Sequence, residues 1–354
     1  MCIMPDNISD STSVRKKEHI ELCLTDKVAF KNKSTGFEKY DFKHYAITEV
    51  ELNKIDFRTD FFKKEISYPF LISCMTGGTS EAENINAKLA LAAGELRIPI
   101  GVGSQRQALE NKEYLNSYKI IRQNASGVPV LGNLGAAQVS KMKSADDINY
   151  LADIIEADAF AIHVNPVQEL VQRNGEPQFK GLVKSIEKIC RKVNIPIIVK
   201  EVGAGITKQA AAELLSAGVK GIDVAGAGGT SWSGVEILRN RDNDDNENYF
   251  WDWGMPTAYC IRTVAKLKKK NDFMLIGSGG VNSAVDGAKA LALGADMVAS
   301  ARIILQTLDK NGTEGVVELV SSWFNMIRKI MFLTGAQDIK SFQKNKLIKT
   351  EEMW

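Results

Sequence analysis

The apolar positions of this chain fall into short unbroken runs, each followed by a longer stretch with helical spacing. The runs are FLISCMT (70–76), IPIGVGS (98–104), VPVLGNLG (128–135), AFAIHVN (159–165), IPIIVKE (195–201), GIDVAGAG (221–228), FMLIGSGG (273–280) and ADMVASAR (295–302). Unbroken apolarity over so few residues marks strands buried on both faces, as in a parallel sheet covered by helices. Between them, FKGLVKSIEKICRKV puts Phe179, Leu182, Val183, Ile186, Ile189, Cys190 and Val193 on one helical face. TKQAAAELLSAG opens at Thr207, suited to an N-cap, and ends at Gly218, suited to a C-cap; SAVDGAKALALG repeats the arrangement from Ser283 to Gly294. Eight such units predict an α/β fold, a closed (β/α)8 barrel. A doubly wound open sheet is the alternative, and eight units in one chain favour closure. Residues 1–60 read as a polar N-terminal extension, 61–354 as one barrel domain, and 315–335 as a closing helix.

One connection is out of proportion. LRNRDNDDNENYFWDWG (238–254) is too long and polar for a plain link between the sixth and seventh strands. DNDDNEN is either a solvated loop or part of a lid over a site, with Trp251 and Trp253 beside it.

Composition narrows the class of partner. A net charge of +2 over 354 residues gives no bulk attraction to nucleic acid, although a local anion pocket stays open. The five cysteines are scattered, without a CxxC pair or histidines at zinc spacing, which predicts reduced thiols in the cytoplasm. MCIMPDNISDSTS lacks the apolar core of a secretory signal, and no run is long enough to span a membrane.

Polarity gathers at the strand ends, where such barrels build their sites: MTGG, GSQR, GNLG, HVNPVQE, KEVG, GAGGT, GSGG and ASAR. HVNPVQE places His163, Asn165, Gln168 and Glu169 within seven positions, an expensive set to bury without a ligand. His163 on its own also reads as a histidine satisfied by a backbone carbonyl. GSGG (277–280) runs into the helix capped at Ser283 and offers backbone N–H groups to a phosphate, with Arg302 near by. Lys200 closes an otherwise apolar strand, either snorkelling to solvent or facing an electron-rich ligand. With Ser104, Asn133 and Thr230, these ends suit a broad flat ligand with a phosphate tail, a description that flavin mononucleotide (FMN) meets.

Taken in order, MTGG, VGSQR, HVNPVQE, VKEVGAGIT, GAGGT and IGSGGV resemble the type 2 isopentenyl diphosphate isomerases, from RKKEHI (15–20) to about residue 340. The resemblance implies an FMN-binding barrel that interconverts isopentenyl and dimethylallyl diphosphate with no net redox change. It also implies reduced flavin maintained through NADPH, a requirement for Mg²⁺, and a homo-oligomer, tetramer or octamer. Carried over residue by residue, Met75, Thr76, Gly77, Ser104, Asn133, Lys200 and Thr230 would contact the flavin. Gly279, Gly280, Val281, Ala301 and Arg302 would hold its phosphate. Arg15, Lys16, His19, Ser104, Gln105 and Arg106 would bind the substrate, Gln168 with His163 and Asn165 would serve catalysis, and Glu169 would bind Mg²⁺. By composition alone RKKEHI is the start of a solvated helix; the resemblance folds it over the diphosphate. Arg302 stands where glycine is common in the family, and the chain ends at LIKTEEMW without the further helical tail of many members.

Other flavin chemistry remains a rival. A 2-hydroxy acid oxidase would want a histidine base late in the barrel, and the three histidines (His19, His44, His163) all precede the fifth strand. A dehydrogenase of the inosine monophosphate type would want a cysteine within GAGGTSWSGVE, which has none. A non-catalytic binder of a phosphorylated ligand would gain nothing from Glu169.

Overall fold

The computed structural model describes residues 12–240 and 245–353. All eight apolar runs contain strands: β1 (Phe70–Ile72), β2 (Ile100–Gly101), β3 (Val130–Gly135), β4 (Ala159–Val164), β5 (Ile197–Glu201), β6 (Gly221–Asp223), β7 (Met274–Gly277) and β8 (Met297–Ser300). Each pairs in parallel with the next, and β8 closes on β1 through Val298 opposite Phe70. The strands are shorter than the apolar runs because the glycine-rich ends leave the ladder. After Asp223 the chain turns away through Ala225, whose φ is 34°.

Side chains alternate in and out of the barrel. Inward positions low on the strands (Leu71, Leu131, Ala159, Ile198, Ile276, Met297) form an apolar floor. Beneath it lies a hairpin that the strand pattern did not reveal. Thr59–Phe61 pairs with Lys64–Ile66 across the two-residue turn Phe62-Lys63, both at positive φ (46° and 74°). It drives the fully buried Phe61 and Ile66 into the floor, so the extension reaches the bottom of the barrel as well as the top.

The expected N-caps are in place, while the C-caps are Ala217 and Leu293, with the left-handed Gly218 and Gly294 one residue beyond. Thr207 accepts from the Ala210 amide and Ser283 from that of Asp286. The closing helix spans Arg302–Leu333 with a break at Gly312 (φ 68°), and its Trp323 and Phe324 pack edge-on against Phe70.

At the opposite end, the N-terminal helix Thr12–Cys23 packs on the helix Trp232–Arg239 beside the barrel mouth. The chain after it crosses the sixth strand's loop, with Ala29 bridged to Thr230 and the Phe30 amide on the Gly229 carbonyl. The long 238–254 connection secures this crossing. Trp251 is buried and its indole N–H donates to the Ala29 carbonyl at 2.9 Å, while Lys31 stacks over its ring. Asp252 accepts from the backbone amides of Lys31 and Asn32. Residues 245–253 form no part of the cavity lining. Here they clamp the extension instead of covering the site. Residues 241–244 of the acidic loop and residues 1–11 lie outside the described residues.

Phe61→Ala empties a fully packed position under the barrel, a change that costs about 3–5 kcal/mol. The urea midpoint of the purified protein should fall accordingly while ligand affinity at the far end changes little; an unchanged midpoint would show that the hairpin does not seal the floor.

Candidate active site

Above the floor the inward positions turn polar: Asn133 on β3, His163 on β4, Lys200 on β5, Asp223 on β6, and Ser278 just beyond β7. His163 aligns with Lys200, and Lys200 with Asp223, so neighbouring side chains of this layer share one face. Asn133 Oδ1 lies 3.0 Å from His163 Nδ1. With the amide so oriented, Nδ1 carries the proton and Nε2 is left as an acceptor. Burial, reinforced by the Lys200 charge, pushes the His163 imidazolium down to a pKa of about 3, so this ring is neutral. Asp223 is buried and accepts the Ser278 hydroxyl. Burial raises its pKa, opposed by the Lys200 charge, by Ser278 and by the Ala225 amide.

Lys200 is 8% exposed, and its ammonium donates to the Glu201 carbonyl at 2.7 Å. The Glu201 side chain turns the other way. Its Oε2 accepts from the amides of Val202 (2.7 Å), Gly203 (2.6 Å), Ala204 and Gly205 (3.2 Å), folding that loop around one carboxylate.

A cavity of about 260 Å³ rises from this layer to the N-terminal helix. One wall is the GSGG turn. Gly279 (φ 95°) and Gly280 (φ 71°) are left-handed, and a Cβ would come within 2.1 Å of the Gly226 carbonyl oxygen at the first and 2.5 Å of the Thr35 methyl at the second. The Gly279 and Gly280 amides donate to no group among the described residues. The helix starting at Ala284, and a second starting at Arg302, turn their N-termini to the same corner. The Gly279 and Gly280 amides with the uncapped start at Ala301–Arg302 make an anion cradle, the Ala284 helix being capped by Ser283 with Asp286 on the Asn282 amide, and Arg302 adds a guanidinium that is 3.8 Å from Asp26.

The opposite wall is held by a residue the sequence reading missed. Glu236, buried on the helix Trp232–Arg239, accepts from His19 Nε2 (2.9 Å), Gln168 Nε2 (2.9 Å) and Arg239 (2.6 Å). Burial pushes its pKa up, but His19, Gln168 and Arg239 outweigh it and bring the carboxyl down to about 2. Gln172, in the amide orientation that satisfies both its atoms, joins Glu236 to Arg15. His19 meets Trp232 edge-on at 5.1 Å. Lys16 reaches the Gly77 carbonyl, the Ser104 carbonyl (3.3 Å) and the Tyr118 hydroxyl (3.0 Å). Burial and then the Arg15 charge lower its pKa to about 7.

Most residues singled out in the sequence line this one cavity: Arg15, Lys16, His19, Met75, Thr76, Gly77, Ser104, Arg106, Asn133, His163, Asn165, Gln168, Glu169, Lys200, Thr230, Gly279, Gly280, Ala301 and Arg302. Two do not. Gln105 is fully buried in the wall, donating to the Leu151 carbonyl and accepting from the Asn133 amide, so its polarity serves the barrel rather than a substrate. Val281 packs into the core behind the glycine turn. Glu236, Trp232 and Gln172 were missed, as were Asp223 and Ser278. The available signal was a glutamate between Val235 and Ile237 on a buried helix face.

The cationic rim suits a polyanion. Among the described residues no group of three or more His, Cys, Asp or Glu could hold a metal by itself. Glu169 nevertheless offers a carboxylate beside Asn165, whose Nδ2 donates to it at 3.1 Å and whose Oδ1 is buried without a partner. Two hard oxygens on the lining of a cavity rimmed by basic side chains fit Mg²⁺, which commonly takes one or two carboxylates and completes its shell with phosphate oxygens and water.

This architecture is a closed parallel barrel with a glycine-lined cavity, and the family model described as FMN-dependent dehydrogenase matches residues 122–349. Solved structures share the fold at low identity: a flavocytochrome b2 mutant with pyruvate bound (19% identical, TM-score 0.69, covering 95% of this chain and 82% of that one) and a mandelate oxidase mutant (17%, 0.65, 92% of each). Similarity over nearly the full length is to proteins named isopentenyl-diphosphate delta-isomerase. Those of Pelodictyon phaeoclathratiforme (42% identical, 98% of this chain and 99% of the relative), Chlorobium limicola (43%, 98% of each) and Pyrococcus abyssi (40%, 97% and 94%) span bacteria and an archaeon. The chain belongs to the isopentenyl-diphosphate delta-isomerase family.

The pKa of His163 carries a stability signature. The unfolded histidine takes a proton below about 6.5 and the folded one does not until about 3, so stability falls as pH drops through this window, by about 1.4 kcal/mol per unit. Glu236 adds to the loss from about 4.5 downward, because protonation is then required of a carboxyl held low. Urea midpoints measured from pH 7 to 4.5 should decline in the native protein and flatten in His163→Gln; equal slopes would mean that His163 titrates normally.

Proposed function

We propose that this chain isomerises isopentenyl diphosphate to dimethylallyl diphosphate with FMN in the lower cavity, the substrate above it and Mg²⁺ at Glu169. The observation that carries the reading is one cavity with an anion cradle at one corner and a cluster of basic side chains, Arg15, Lys16, His19 and Arg106, at its rim. Gly279, Gly280 and the uncapped helix start at Ala301–Arg302 would hold the flavin phosphate, and Lys200 with Asn133 would face its ring. When bound, reduced FMN supplies an electron-rich plane and a ring nitrogen that exchanges protons.

The chain's own residues do the rest. Moving a double bond by one carbon passes through developing positive charge, so an imidazolium in the wall would oppose the reaction. His163 is held neutral and adds none. Cys74, whose thiol is pushed up to about 12 by burial, stays protonated and does not trap a cation. Gln168 is fixed by Glu236 and oriented toward the substrate space. Asn165 and Glu169 would present Mg²⁺ to the diphosphate, turning an anion that would repel the substrate into its anchor. The N-terminal helix and Trp232 keep water from the hydrocarbon end. In this reading NADPH keeps the flavin reduced, and the protein works in the cytoplasm as a homo-oligomer.

Purified protein is to be assayed with isopentenyl diphosphate, Mg²⁺ and FMN, with and without reductant, following flavin absorbance and product together. Dimethylallyl diphosphate formed only under reducing conditions, with the flavin staying reduced, is expected. Flavin oxidised by a 2-hydroxy acid in place of isomerisation would move the protein to the oxidoreductases of its fold. Glu169→Gln should raise the Mg²⁺ concentration needed for half-maximal rate about ten-fold or more, with FMN content unchanged; an unaltered requirement would remove Glu169 from the metal site.

A further inference from the structure

The buried polar layer holds one carboxylate that the proposed chemistry leaves unused. We propose that Asp223 is a proton-linked counter-ion of the flavin: it shares the Lys200 charge when the bound FMN is oxidised, and takes up a proton from solvent when FMN is reduced. This rests on the FMN reading above.

Asp223 is 1% exposed, aligned with Lys200 on the neighbouring strand and hydrogen-bonded by Ser278, which itself lines the cavity. The charged groups around it are few. Lys200 supplies one positive charge. His163, on the far side of Lys200, is neutral, and Cys74 just beyond β1, also coupled to Asp223, stays a thiol. Glu201 spends its carboxylate on the amides of the 202–205 loop. Within the layer one ammonium thus faces one carboxyl group, whose charged form Lys200, Ser278 and the Ala225 amide favour and burial opposes.

Reduction upsets that balance. Oxidised FMN gains two electrons from an external reductant, such as NADPH or dithionite, and one proton at the ring, leaving one added negative charge beside Lys200. One buried ammonium would then face two anions, and an unpaired buried charge is costly. Uptake of a second proton by the Asp223 carboxylate, giving the neutral acid, restores one positive and one negative charge. Burial already favours that acid form. The Ser278 hydroxyl is free to turn and donate elsewhere, so the acid keeps a partner. The ammonium is thereby released to the reduced ring, where it stabilises the electron-rich form that the isomerisation uses.

The test is the two-electron midpoint potential of the FMN-loaded protein, measured anaerobically against pH, for the native chain and Asp223→Asn. The native potential should fall with pH at two protons per two electrons and then break to one. In Asp223→Asn the slope should be half as steep from the start, with the two curves converging at acid pH and the variant lying higher at alkaline pH. Superimposed curves would show an aspartate that is neutral throughout, parallel curves one that is charged throughout, and either overturns the proposal. Ser278→Ala removes a hydrogen bond that favours the carboxylate, so its break should move to higher pH. Should the variants fail to fold, the native protein still decides: a reduced-minus-oxidised infrared spectrum must gain a carboxylic acid C=O band, and its absence refutes proton uptake. A native protein that retains no FMN refutes the cofactor reading itself.

Discussion

One ammonium group inside a barrel organises this molecule. A buried lysine is costly unless its charge is answered, and Lys200 is answered by its own strand, through the Glu201 carbonyl, and by Asp223 alongside. Burial sets its neighbours' states and the Lys200 field modulates them: it adds to the burial that strips the His163 proton and opposes the burial that raises Asp223. The apolar floor below isolates that field from water, and the glycine-lined cavity above leaves it open to a ligand. The charge balance of this layer thus centres on one residue at the end of an otherwise aliphatic strand, while Asn133 sets the His163 tautomer and the glycines set the shape.

The upper half of the site comes from the chain's beginning, and its order depends on a second buried charge. Glu236 collects His19 from the N-terminal helix, Gln168 from the fourth loop and Arg239 from its own helix. Three segments distant in sequence meet on one carboxylate. The clamp of Trp251 and Asp252 on residues 29–32 is the mechanical counterpart, holding the extension while Glu236 holds its tip. His19 and Gln168 belong to both the cavity lining and the Glu236 cluster, so the mouth's assembly and its lining share residues, while Trp251 and Asp252 serve the assembly alone.

The barrel was legible because strands buried on both faces have a simple signature, eight apolar runs at helix-length intervals. Strand ends were legible for the same reason in reverse: glycine, amides and single charges stand out against Val and Ile. Gln105 shows the limit of that reading, since a buried amide that bridges Leu151 and Asn133 looks the same in sequence as one that meets a substrate. Glu236 was hidden because a glutamate on a short helix is ordinarily solvated, and only packing reveals that this one is enclosed. The hairpin at 59–66 escaped because three-residue strands carry too few positions to show a period, and its turn uses Phe62 and Lys63 where glycine or asparagine would have announced it.

That hairpin makes the barrel a vessel with one opening. Phe61 and Ile66 stop the lower end, and the cavity above the polar layer is lined at the other end by the N-terminal helix. A molecule lying deep, against Lys200 and the glycine cradle, is overlain by anything held at Arg15, Lys16 and His19. In the proposed reading, occupancy would be ordered, last in and first out, with the upper ligand the stopper for the lower.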